Sequence, residues 1–275
     1  LNMILGGIKM KKRIGSAILM AIIFIPLLLI GGIPFTVFMS LIATLGMHEL
    51  ISVRSKKKKI PVVVQGCAYF LIIFSSIITY EQTVFSYTMD YHLISFIIMV
   101  FMLPILLSKN SDSYNVNDAL YLIGSLLFIN MAFNLILIVR NYDLMYLIYL
   151  LLITILTDTF AFLTGKYIGK NKLAPTISPN KTVEGFIGGL LMGTFVAVVF
   201  YNTVVNPYTS LVMVILITMF LSVIGQLGDL VFSSIKRTYE VKDFSNLIPG
   251  HGGILDRFDS LIFVSLAFIL VMGII

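Results

Sequence analysis

One cysteine, Cys67, stands among 275 residues, which excludes an internal disulfide and a cysteine metal cluster. It lies in an apolar run and reads as plain packing. Charge is scarce as well: Asp, Glu, Lys and Arg make up 12% of the chain against 59% hydrophobic residues. Mean hydropathy is +1.02. Soluble domains are roughly one-quarter charged, so that class is excluded. The short alternating segments of a transmembrane β-barrel are missing too, because the apolar runs here are continuous. There is no internal repeat and no low-complexity segment. No small-x-small cleavage motif follows the basic start (Lys9, Lys11, Lys12, Arg13), so the first apolar run reads as a retained span rather than a removed leader. What remains is an all-α, polytopic integral membrane protein.

Nine apolar segments can be placed, at about 14–31, 34–53, 61–79, 92–108, 119–139, 143–163, 183–202, 209–231 and 254–275. The first and fourth are short and read as tilted or partial spans. Gly31-Gly32-Ile33-Pro34 reads as a turn between the first two. With the N-terminus inside, segments 1–13, 54–60, 109–118, 164–182 and 232–253 face the cytoplasm and carry nearly all the lysines and arginines, and only Arg140 falls outside. The positive-inside bias therefore predicts nine spans, N-terminus cytoplasmic and C-terminus outside. The outer connections carry Glu81, Asp90 and Asp143 and resemble no site. The run Arg54–Lys59 reads as a surface anchor. A net charge of +6 placed beside apolar spans points to anionic headgroups or phosphate substrates, not nucleic acid. The simplest division is one membrane domain, 1–275, in which 1–108 lacks chemical motifs and 119–275 holds them.

Two cytoplasmic connections, 164–182 and 232–253, are polar enough for chemistry. Asp158 sits in the last turns of the sixth span, where a carboxylate must be paired or face water. It reads either as a helix-packing residue or, given the cation-rich loop after it, as a functional one. Ser178-Pro179-Asn180-Lys181-Thr182 leads into the seventh helix, where a hydroxyl caps the first turn and Lys181 with free N–H groups makes an anion site. If the eighth helix continues past the membrane surface, Asp229, Ser233 and Lys236 share one face at i, i+4 and i+7. Asp256 and Asp259 share a face at i, i+3. A carboxylate from each helix is the oxygen donor set that Mg²⁺ prefers, although Asp256 also suits a helix N-terminus. Lys236, Arg237 and Lys242 offer charge to phosphate oxygens. Pro249-Gly250-His251-Gly252-Gly253 lets backbone approach a ligand. Asn130 and Asn134 in the fifth span read as interhelical hydrogen-bonding residues.

Ser233-Ser234-Ile235-Lys236-Arg237, Lys242-Asp243 and the run from Pro249 through Asp256-Arg257-Phe258-Asp259 resemble the signature of the phosphatidate cytidylyltransferase (CDP-diacylglycerol synthase) family. Asp158, Lys172-Leu173-Ala174-Pro175 and Ser178 to Gly185 resemble its second block, in the expected order. The resemblance covers the C-terminal half by motif and the rest by hydropathy. It implies transfer of a cytidylyl group from CTP to phosphatidate at the inner face of the cell membrane. It further implies Asp229 and Asp256 as metal ligands with Asp243 and Asp259 nearby, and Lys236 and Arg237 on phosphates. Ser178, Pro179, Lys181, Thr182, Ser233, Lys242, His251, Gly252, Gly253 and Arg257 would shape the pocket. A monovalent cation such as K⁺ and a homodimer are implied only by the family. Two positions depart from the pattern: Phe232, where Glu is common, and Asn180, where Lys is common. A related enzyme acting on an isoprenoid glycerol phosphate would differ little in motif. A cation-coupled transporter would carry charges at mid-membrane and repeat symmetry, whereas these charges cluster at one surface.

Overall fold

The computed structural model describes residues 2–80, 91–107 and 114–272, with side chains from residue 15 onward save that of Leu107. Glu81, Asp90 and Lys109 lie outside the described residues, as do the side chains of Lys9, Lys11, Lys12 and Arg13. In chain order the elements are α1 (Asn2–Ile30), α2 (Gly32–Ser55), α3 (Val62–Thr79), α4 (Tyr91–Met102), α5 (Pro104–Leu107), α6 (Val116–Tyr142) and α7 (Leu144–Ile168). Two short strands follow, β1 (Lys172–Ala174) and β2 (Ser178–Thr182). The chain then runs through α8 (Val183–Phe200), a π-helical turn (Tyr201–Val205), α9 (Leu211–Thr238) and α10 (Leu255–Val271). Each apolar segment of the sequence meets a helix. The fourth is broken before Pro104, which lacks the N–H that a continuing helix would need. Among the described residues six helices, α2, α3, α6, α7, α8 with its π turn, and α9, are long and apolar enough to cross a bilayer. Val62, Val63, Phe70 and Ile77 on α3 and Leu191 and Phe195 on α8 are exposed. That is what lipid-facing helix surfaces require. The chain is an all-α polytopic membrane protein.

The residues form two compact units: Leu1–Asn141 with Val241–Arg257, and Tyr142–Glu240 with Phe258–Ile275. In the first, α6 is the central helix, buried nearly all round from Ile129 to Val139. Its amides are satisfied within the core: Asn130 Oδ1 accepts from the Ser75 hydroxyl and from Asn134 Nδ2, and Asn134 Oδ1 accepts from Ser76. Asp118, at the start of α6, is buried and receives Arg54 Nη2 at 2.8 Å and Lys58 Nζ at 2.6 Å. The basic run 54–59 is therefore a helix-to-helix clasp at two of its positions. Burial, and then the Asp118 charge, push the Tyr114 phenol up to about 12. It donates as a neutral hydroxyl to the Phe101 carbonyl. Arg140 donates to the Leu28 and Leu29 carbonyls at the end of α1. Gly31 turns there at φ +66°, and a Cβ would meet Arg140 Nη2 at 2.2 Å. α2 then begins at Gly32, which places Pro34 in a first helical turn where its missing N–H costs nothing.

In the second unit, α7 is capped by Asp143, whose carboxylate accepts from Met145 N. α7 and α8 approach closely because Gly185, Gly189 and Gly193 recur every four residues. A Cβ at Gly189 would meet the Thr157 carbonyl at 2.6 Å and Ala161 Cβ at 2.8 Å. The 164–182 connection is not irregular throughout. α7 continues to Ile168, and β1 and β2 pair antiparallel, with Lys172 opposite Thr182 and Ala174 opposite Ser178. Glu184 ties the hairpin to α8 by accepting from Lys170 N and from Asn171 N and Nδ2.

Candidate active site

α9 reaches Thr238, about two turns beyond its apolar stretch, so its polar residues form one stripe. Thr218, Ser222, Gln226, Asp229, Ser233 and Lys236 follow one another at spacings of three or four. The upper part is consumed by packing: Thr218 bonds Tyr149 at 2.7 Å, Ser222 bonds Thr157 at 2.9 Å, and Gln226 Nε2 donates to the Phe186 carbonyl. The lower part is charged. Asp229 Oδ2 pairs with Lys181 Nζ at 2.6 Å, and Ser233 Oγ lies 3.4 Å from Asp229 Oδ1. Lys236 is buried. Asp259, one turn into α10, feels the charges of Asp229, Asp158 and Lys236. Asp158 is exposed and accepts from Ser260 Oγ at 3.3 Å. It shares with Thr157, Ser222, Gln226 and Ser260 the wall of a shallow recess. In this unit, then, Asp158, Lys181, Asp229, Ser233, Lys236 and Asp259 are brought into one electrostatic neighbourhood.

The hairpin completes that end of the unit. Thr182 is the N-cap of α8 and accepts from Gly185 N. Arg237 Nε donates to the Ile177 carbonyl at 3.2 Å, beside Ser178 and Pro179 on β2. Lys181 is thus a partner of Asp229, not an open anion site. Phe232 is fully buried with its ring edge-on to Phe263 at 6.1 Å, an apolar contact. Asn180 is exposed on β2.

The turn before α10 belongs to the first unit. Gly250 and Gly252 adopt φ +79° and +84°, which side chains rarely do. Ile248 N bonds the Gly252 carbonyl and His251 N bonds the Ile248 carbonyl, closing a tight loop. His251 Nδ1 meets Ser16 Oγ at 2.8 Å, while Ser16 also donates to the Pro249 carbonyl. Both contacts are satisfied when Nδ1 carries the imidazole hydrogen and donates it to Ser16 Oγ, whose own proton goes to the Pro249 carbonyl. Asp256 is buried, and its Oδ2 accepts from Phe244 N and Gly253 N, each at 2.9 Å. Asp243 packs beside Gly252, and Lys242 and Arg257 are exposed.

Residues 11–275 match the Cytidylyltransferase family. The chain belongs to that family. It is 37% identical over 262 residues to the phosphatidate cytidylyltransferase of Bacillus subtilis (strain 168), covering 94% of this chain and 95% of the relative. It is 40% identical over 258 residues to the protein of the same name in Staphylococcus saprophyticus, and 39% identical over 258 residues to that of Staphylococcus haemolyticus. Those two alignments cover 93% of this chain and 96% of the relative. The stretches that resemble the family's signature lie on the end of α9, the glycine turn and the start of α10, and those that resemble its second block on β1, β2 and the cap of α8.

Among the described residues no three His, Cys, Asp or Glu side chains stand together as a formed metal centre. The available donors are hard oxygens from carboxylates and hydroxyls, a chemistry that suits Mg²⁺ rather than a thiophilic ion. One residue of this family member escaped sequence reasoning altogether. Glu49 of α2 is fully buried and accepts from Ser245 Oγ at 2.6 Å, Ile254 N at 2.8 Å and Leu255 N at 2.9 Å. Its signal was present: Glu49 is the sole acidic residue among the first 80.

Proposed function

We propose that this chain transfers the cytidylyl group of CTP to phosphatidate, giving CDP-diacylglycerol and pyrophosphate. The observation that carries the reading is the signature from Ser233 to Asp259, in a family member aligned with nearly the whole length of relatives bearing that enzyme's name. In the reaction a phosphate oxygen of the lipid attacks the α-phosphorus of CTP in line. The new O–P bond forms as the bond to the β-phosphate oxygen breaks, and pyrophosphate leaves with that electron pair. A phosphate monoester is nucleophilic at neutral pH, so no strong base is required. The demand on the protein is to hold two polyanions together and to stabilise charge on the leaving group.

Lys236 and Arg237 at the end of α9, with Lys242 in the loop beyond, neutralise phosphate oxygens. Ser178, Pro179 and Thr182 of the hairpin and His251, Gly252 and Gly253 of the turn shape the walls. Asp229 and Asp256 would hold the divalent ion, and Mg²⁺ there would supply charge neutralisation along the triphosphate. Lys181 holds Asp229 until substrate arrives and is then available to phosphate. A monovalent cation and a homodimer belong to the proposal through the family alone. Nine spans with the N-terminus inside place these residues on the cytoplasmic side of the cell membrane. There cytosolic CTP and a membrane-held headgroup meet without either crossing.

Purified protein given labelled CTP, phosphatidate and Mg²⁺ is expected to release pyrophosphate in proportion to the CDP-lipid formed. A protein that folds and releases none refutes the assignment. Asp256→Asn tests the metal role cleanly, because the amide oxygen can still accept from Phe244 N and Gly253 N while the charge is lost. Its turnover is expected to fall on the order of 10²-fold or more. Undiminished turnover removes Asp256 from the ion.

A further inference from the structure

Glu49 lies in α2, nearly two hundred residues before the turn it serves and outside the stretches that resemble the family signature. Its carboxylate takes three donors, Ser245 Oγ and Ile254 N on Oε1 and Leu255 N on Oε2. Asp256 takes the neighbouring Gly253 N and the more distant Phe244 N. Three consecutive amides at the start of α10, 253 to 255, are therefore consumed by two carboxylates of the chain itself. A helix N-terminus of this kind would otherwise attract an external anion. Ser245 extends the hold, since its hydroxyl accepts from Leu247 N. The fit is also steric. A Cβ on Gly253 would meet Glu49 Oε1 at 2.4 Å, and one on Gly46 would meet Leu255 Cδ2 at 3.1 Å. Gly46 and Glu49 sit one turn apart on α2, so a notch and an acceptor on the same face receive the first residue of α10.

We propose that Glu49 is a positioning residue for cytidylyl transfer, its buried carboxylate fixing the backbone from which Asp256 is presented. The inference rests on the function assigned above. It also assigns the amides of residues 253–255 to the chain's own carboxylates, leaving phosphate recognition to side chains. A carboxylate suits the place because all three partners are donors and it has only acceptors to offer. Glutamine does not: whichever way its amide turns, an NH₂ group faces at least one N–H or O–H donor.

The test is Glu49→Gln in the full-length protein in detergent or vesicles, with Ser245→Ala as a milder second variant. Measured are the half-saturating Mg²⁺ concentration, the KM for CTP, and amide hydrogen exchange over residues 244–255. In Glu49→Gln, kcat/KM for CTP is expected to fall about 10–100-fold, as for residues that orient a metal ligand. The half-saturating Mg²⁺ concentration is expected to rise, and exchange over 244–255 to quicken while that over 164–182 is unchanged. Ser245→Ala moves the same quantities less. A lower yield or melting temperature with Mg²⁺ dependence, KM and exchange as in the wild type would show a merely structural residue and overturn the inference. If wild-type protein itself releases no pyrophosphate, the assigned reaction falls on its own account. The exchange measurement then decides whether Glu49 holds the turn, and equal exchange in the two proteins overturns that as well.

Discussion

At the scale of single residues, the Lys181–Asp229 pair carries the sharpest expectation. At 2.6 Å, with both side chains about a quarter exposed, it is a contact that substrate and cation can exchange. Lys181→Met removes a competitor for Asp229 and a partner for phosphate together. The half-saturating Mg²⁺ concentration should therefore fall while the KM for CTP rises. The loss of one charge-assisted bond, roughly 1.5–3 kcal/mol, corresponds to a KM increase on the order of tenfold or more. Steady-state titration of both ligands checks the opposed signs. If the two move the same way, the pair is not exchanged during turnover. Most charged residues of this site were legible because they crowd into one stretch after Gly228, and i, i+4, i+7 spacing already put Asp229, Ser233 and Lys236 on one face. Glu49 was not legible, because its partners lie 196 to 206 positions away and only folding brings them to it. Its solitude in sequence marked it as unusual without saying what it touches.

At the scale of elements, the α7–α8 pair depends on the absence of side chains. Gly193 admits Thr157, whose Oγ1 would stand 2.4 Å from a Cβ, and Gly189 admits Ala161 and the Thr157 carbonyl. Thr157 in turn bonds Ser222 on α9, so one glycine stripe sets where α9 and its charges lie relative to α7. Gly189→Leu is expected to cost about 1–3 kcal/mol by overpacking. It should lower the melting temperature in detergent and reduce turnover with it, whereas Gly66→Ala on α3, where a Cβ meets nothing within 4 Å, should do neither. Equal melting temperatures for Gly189→Leu and wild type would dismiss the tight packing. Helix positions were readable from apolar runs, since each run is a local property. The β1–β2 hairpin was not. Strands of three and five residues have no period to detect, and this pair is fixed by Glu184 and the Thr182 cap rather than by its own propensity. The continuation of α9 past its apolar stretch was readable only as a condition, and Asp229–Lys236 on one face is what that condition produced.

For the whole molecule, the lysine distribution makes a definite statement about which side of the bilayer each end faces. Six helices satisfy the length and apolarity of a span outright, and Gly15–Ile30 and Tyr91–Leu106 are shorter apolar stretches. α10 has only 17 residues, close to the minimum for crossing. If all of these cross, the connections with Arg54–Lys59, Lys166–Lys181 and Lys236–Lys242 share one side, which the positive-inside bias makes the cytoplasm. The clasp of Arg54 and Lys58 on Asp118 holds the end of α2 and the start of α6 at one surface, so with α3 crossing, α4 with α5 crosses as well. The single native cysteine makes the experiment simple. In a Cys67→Ala background, one cysteine at a time replaces Lys57, Pro175 or Asn246, all of which are exposed. A membrane-impermeant maleimide applied to intact spheroplasts should leave all three unlabelled, and inside-out vesicles should label all three. An alkaline phosphatase fused after Ile275 should be active outside. Labelling of Pro175→Cys or Asn246→Cys from outside while Lys57→Cys stays protected would remove the cytoplasmic placement of the catalytic loops. CTP could then not reach them from the cytosol.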